Sequence, residues 1–197
     1  MNAFDGLKVL AEAHAYLRAA AVGVPDASWG AATPCTEWTV RQVLNHARLD
    51  QQALIMQINP EAAPTADPFS PVDELADDAI AQLDAVLGQS AAAWGSVDPA
   101  AQDVPTPMGP MPTQLGAAVA ALDAAVHAWD IAKATGQDLP LTDELADGLD
   151  AAAQRTVDFV RDNFGKYGPV VPVPEGSGSA DKLLAFTGRD PRWAPAG

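Results

Sequence analysis

One segment limits the folds open to this chain more than any other. In "TQLGAAVAALDAAVHAWDIAKATG", Leu115, Val119, Leu122, Val126 and Trp129 recur at alternating steps of four and three residues. That is the seam of a helix packed in a bundle. The spacing predicts a helix from Thr113 to Thr135, with Gly136 as the natural C-terminal stop.

The same period appears elsewhere. Leu7, Leu10, His14, Leu17 and Ala21 form one buried stripe on a helix predicted from Ala3 to Val22, ended by Gly23 and Pro25. In "EWTVRQV", Thr39 can cap a second helix while Gln42 reaches back, and Trp38 can pack on Val43 as a hydrophobic staple. Its apolar face is Val40, Val43, Leu44, Ala47, Leu54, Ile55 and Ile58, and Asn59-Pro60 should stop it. A third helix is predicted from a Ser70 cap, with Pro71 at its first position and Asp73 and Glu74 in its first turn, to Trp94. A fifth should span Thr142 to Asn163.

Between these lie "EAAPTADPF", a linker by composition, and a Pro/Gly loop, "GSVDPAAQDVPTPMGPMPT", with room for a short hairpin. Loops of that length often form lids or binding edges. After the fifth helix, "GPVVPVPEGSGS" reads as extended chain and "ADKLLAFTG" as a last short helix. The expected fold is all-α: a four-helix bundle over residues 1–137, and a helical and extended C-terminal appendage, 138–197, packed on it within one structural domain.

Charge narrows the partners. The net charge is -15, which repels phosphate backbones and anionic lipid surfaces, so neither nucleic acid nor membrane is expected as a partner. The N-terminal stretch lacks the pattern of a signal peptide, and no continuous apolar run suggests a membrane span, so the cytoplasm is the expected location. The single cysteine, Cys35, cannot form an internal disulfide. It has no basic neighbour in sequence to lower its pKa, so it reads as packing rather than as a nucleophile. Dinucleotide and phosphate-loop glycine patterns, Gly-x-Ser-x-Gly and His-Glu-x-x-His are all missing from the sequence.

Chemistry concentrates on the alanine-rich helix. Asp123, His127 and Asp130 form a stripe one residue after the seam, hence about 100° around the helix. Asp123 and His127 stand one turn apart on one side. They can share a metal ion, or they can make an ordinary Asp–His hydrogen bond on a partly solvated face. His46, one of only three histidines, lies beside the apolar stripe of the second helix. Two histidines flanking two apolar faces can converge at one end of a bundle, where such folds commonly build metal sites.

Four stretches carry a resemblance: "TPCTEWTVRQVLNHARLD", "VPTPMGPMPTQLG", "LDAAVHAWDIAKATGQ" and "GPVVPVP…DKLLAFTGRDPRW". Together they resemble the DinB superfamily, and within it the actinobacterial branch around mycothiol-dependent maleylpyruvate isomerase. The resemblance implies a divalent metal held by His46, Asp123 and His127. Asp123 departs from the glutamate that the family usually carries there, and its side chain is one methylene shorter. Zinc is the default ion for two histidines and a carboxylate with an open position, and nickel or iron suits the same set. The resemblance further implies a low-molecular-weight thiol, mycothiol in actinobacteria, activated by the metal for S-transfer or isomerisation of a small electrophile. A non-catalytic bundle that binds a small molecule or partner is the alternative, and a homodimer is left open.

Three further residues keep two readings each. Asp130 either orients His127 or lies on the helix surface. Asp50, four residues after His46, invites the same pair. His14 is either a neutral core histidine with one partner or a wall of the ligand pocket.

Overall fold

The computed structural model describes residues 4–98, 103–106 and 109–195. The first helix, α1, spans Gly6–Val22, and the Asp5 side chain caps it by accepting from Lys8 N. The predicted start at Ala3 lies outside the described residues. α2 spans Val40–Ile55, and both reciprocal bonds of the Thr39–Gln42 capping box are present.

α3 spans Ala79–Ser96, so the Ser70 cap and Pro71 start are wrong. Tertiary contacts override the local signal. Asn45 Nδ2 donates to the carbonyls of Val72 and Glu74, and Gln42 Nε2 donates to that of Pro71. Asp73 accepts from Thr39 Oγ1 and Arg41 Nε. The groups that a helix would use there are held by α2 instead. Ser70 closes a turn on Asp67.

The Pro/Gly loop does hold a hairpin: β1, Asp103–Val104, pairs antiparallel with β2, Met111–Pro112. Its residues 99–102 and 107–108 lie outside the described set. α4 then spans Thr113–Ala134, and Gly136, in the left-handed region at φ 68°, follows its end as expected. α5, Asp143–Phe164, is capped by Thr142, and α6 spans Ser179–Phe186.

The first four helices form a ring in which α1 and α2 each touch both α3 and α4. α5 covers α4 and α1 from outside, and α6 packs on α5. One apolar cluster runs from Leu10, Val43, Leu83 and Leu122 to Leu149 and Leu183. Burying a leucine of that kind contributes about 1.5–3 kcal/mol.

α4 differs from the amphipathic helix its seam suggests. It is buried on nearly every side, because α1, α2 and α5 surround it. Alanines such as Ala117, Ala121, Ala124 and Ala128 let neighbouring backbones close in. By length and composition α4 passes as a membrane span, but 89% of that window is buried inside the protein, the mark of a core helix.

Candidate metal centre

α2 and α4 lie side by side and bring three predicted residues together. His46 Nε2 and His127 Nε2 each stand 3.5 Å from Asp123 Oδ1. One ligand atom from each residue fits within a 4.8 Å span. The capping box fixes where α2 starts, and the packing of α2 on α4 brings His46 to Asp123. The four-residue step on α4 stacks Asp123 beneath His127.

The outer nitrogens settle the ring tautomers. His46 Nδ1 lies 2.8 Å from the Pro68 carbonyl, which can only accept. His127 Nδ1 lies 2.9 Å from Asp130 Oδ2. Each Nδ1 therefore carries a proton, and in the neutral ring each Nε2 presents a lone pair inward. That is the usual arrangement of histidine ligands.

This donor set fits a small divalent ion. Donors about 2.1 Å from one ion at tetrahedral angles stand about 3.4 Å apart, close to the two histidine-to-Asp123 spacings, though the set as a whole spans up to 4.8 Å. A separation of 3.5 Å is at the same time too long for a good hydrogen bond to the carboxylate. Asp123 Oδ2 is buried and has no hydrogen-bond partner among the described residues. An orphaned buried acceptor costs about 1–3 kcal/mol, more when charged, so it calls for a partner.

The electrostatics of the three groups differ. Burial works to raise the Asp123 pKa, but the two histidines bring it below the usual carboxylate value. Burial holds His127 below an ordinary imidazole, against the pull of Asp130 and Asp123. At His46 burial acts downward too, but Asp123, Asp50 and the Pro68 carbonyl outweigh it and the pKa rises.

Aromatic rings enclose the centre. The Trp38 ring lies 4.6 Å from the His46 ring and 6.3 Å from that of His127, centroid to centroid. Phe69, 45% exposed, stands 5.9 Å from His46, and Lys166 Nζ sits 4.7 Å over the Phe69 ring. Phe69 is thus exposed at the rim while His46, Asp123 and His127 beneath it are buried.

The other predicted residues separate clearly. Asp130 is fully buried rather than on the surface, and it accepts from His127 and from Arg189. Burial works against its ionisation, but Arg189 and His127 hold it below the usual range. Asp50 is partly buried; burial and the neighbouring Asp123 push its pKa up to about 7. His14 Nε2 bonds Gln51 Oε1 at 2.9 Å, as a core histidine with one partner would. Burial, with Asp130 next, pushes the Cys35 thiol up to about 12, which fits packing and not nucleophilicity.

Sequence reasoning missed Arg189, Gln51 and Phe69, and gave Trp38 only a stapling role. Arg189 lies in the closing stretch that carries the resemblance, but its partner Asp130 is 59 residues away. No local pattern links them. Phe69 sits in a segment that reads as linker by composition.

Fold and centre together define a class: a helical bundle with a buried His/Asp/His cluster suited to a metal ion. The chain belongs to the family of the mycothiol maleylpyruvate isomerase N-terminal domain, whose model matches residues 10–132. Two relatives are uncharacterized proteins of Mycobacterium tuberculosis, from strains CDC 1551 and H37Rv. Each is 34% identical over 166 residues, which cover 83% of this chain and 86% of the relative. No solved structure matches the chain.

Proposed function

We propose that the protein binds one divalent cation, zinc by default, through His46 Nε2, the Asp123 carboxylate and His127 Nε2. We further propose that the centre activates a small thiol of the mycothiol type for S-transfer to, or isomerisation of, a small electrophile. The observation that carries this is the inward convergence of two imidazole lone pairs on a carboxylate with an orphaned oxygen.

A bound divalent cation supplies Lewis acidity, enough to deprotonate a thiol that reaches it. The chain's own groups set the conditions. Asp123 offsets one of the two positive charges and the neutral imidazoles offset none, so the centre stays net positive and favours an anionic thiolate. Trp38 packs against both rings, and the exposed Phe69 marks the side from which a ligand would enter. Three protein donors leave a coordination position free, whereas structural zinc usually takes four. The shared apolar cluster supports reading 1–137 as the metal-binding bundle and 138–197 as an appendage within the same domain.

Elemental analysis of untagged protein should return one divalent ion per chain. Cobalt-substituted protein should show a thiolate-to-metal charge-transfer band when mycothiol is added. A metal-loaded protein with no such band would sink the thiol reading and leave a binding role for the centre.

A further inference from the structure

We propose that Arg189, in the turn after α6, is a positioning residue for the metal centre: it clamps Asp130, and Asp130 in turn fixes the His127 ring. The inference rests on the metal-centre reading above and extends it to the C-terminal segment, beyond residues 10–132 of the family match.

The contacts form one chain. Arg189 Nη2 lies 3.0 Å from Asp130 Oδ2, and Nε lies 3.4 Å from Oδ1. The same Oδ2 accepts from His127 Nδ1 at 2.9 Å. The third donor group, Nη1, is anchored on the Thr187 carbonyl at 2.9 Å. Asp130 is 0% exposed and Arg189 is 6% exposed, so water cannot replace either partner. Without the guanidinium, Asp130 would be an uncompensated buried charge, and it would take up a proton or turn away. Either response loosens the His127 ring. With it, both carboxylate oxygens are held and His127 Nδ1 keeps its acceptor.

The turn that carries Arg189 is built for this placement. Gly188 adopts φ 83°, and a Cβ there would come within 2.6 Å of Gly168. Arg161 Nε donates to the Gly168 carbonyl, and Arg161 Nη2 to that of Phe186, which ties the turn to α5. The Tyr167 ring lies 5.7 Å from the Arg189 guanidinium and closes its other side.

A merely structural ion pair would stabilise the fold and leave the metal affinity of folded protein unchanged. The test therefore measures both. Zinc affinity is read by chelator competition at one pH, and melting is followed on metal-free protein. Arg189→Met and Asp130→Asn should each weaken zinc binding about 10–100-fold, the usual loss when a partner behind a ligand is removed. The double variant Arg189→Met/Asp130→Asn should bind zinc no more weakly than Asp130→Asn alone. It also removes the unpaired charge, so it keeps the comparison available should Arg189→Met not fold. Unchanged affinity in Arg189→Met, or losses that add in the double variant, would overturn the role of Arg189. A parent protein that binds no zinc would instead overturn the metal centre itself, and the role of Arg189 with it.

Discussion

His14, on α1, and His46, on α2, are both buried histidines of one bundle, and their surroundings differ in kind. Around His14 the polar atoms close on one another. Its Nε2 bonds Gln51 Oε1, which also accepts from Ser90 Oγ, and Gln51 Nε2 donates to the Ala120 carbonyl. Around His46 they do not close. Two Nε2 lone pairs and a carboxylate face each other, and Asp123 Oδ2 has no partner among the described residues. A satisfied network rigidifies a core, while a convergent unsatisfied one is expensive unless something joins it. Burial alone therefore does not mark a site, nor does one missing partner, which Trp94 Nε1 shares; the convergence of such groups does.

The hardest blow to this comparison comes from removing both inner histidines. The double variant His46→Ala/His127→Ala should lose the bound ion altogether by elemental analysis. Metal retained there would mean that the open cluster is not the binding site. Next comes Asp123→Asn, which keeps shape and removes charge. Its metal affinity should fall by at least about tenfold, or about 1.4 kcal/mol, by chelator competition. Asp123→Glu should hold metal at least as well as the parent if α2 and α4 yield by one methylene. Equal affinity in the Asn variant would strip the carboxylate of its role.

His14→Ala sharpens the contrast from the closed side. It removes the His14 bond to Gln51, so stability should drop by about 1–3 kcal/mol in urea unfolding. Metal content should stay unchanged, and loss of the ion would erase the distinction between the clusters. A pH-dependent effect belongs to Asp50. Its carboxyl is raised from 3.8 to about 7 by burial and Asp123, so ionisation weakens the fold. That penalty is absent near pH 4, grows as pH rises and is complete above about pH 7. Metal-free Asp50→Asn should therefore melt above metal-free parent at pH 8, with the gap closing towards pH 5. A gap that widens on acidification would reverse the sign and remove Asp123 as the cause.

Much of this contrast was legible in advance, though unevenly. The step from Asp123 to His127 is local and placed two groups together without any fold. His46 stood beside the apolar stripe of α2, and the family resemblance was what joined it to Asp123 and His127 as a ligand set. The open cluster could thus be read as a candidate. The closed cluster around His14 could not, because Gln51, Ser90 and Ala120 come from three helices with no common spacing.

Periodicity and caps are properties of a few adjacent residues, so the sequence by itself determined α1, α2, α4 and α5, the Thr39–Gln42 box and the all-α class. It did not determine where α3 begins. Ser70 and Pro71 are sound local signals, but the hydrogen bonds of Asn45 and Gln42 to that segment outweigh them. Nor could it show that α4 is surrounded, since a run of alanine is compatible with one packed face or with several. The placement of Arg189 on Asp130 was decided by tertiary structure alone. A buried carboxylate must find a counter-charge, and which of the chain's cations reaches it depends on how α5 and α6 fold back over α4.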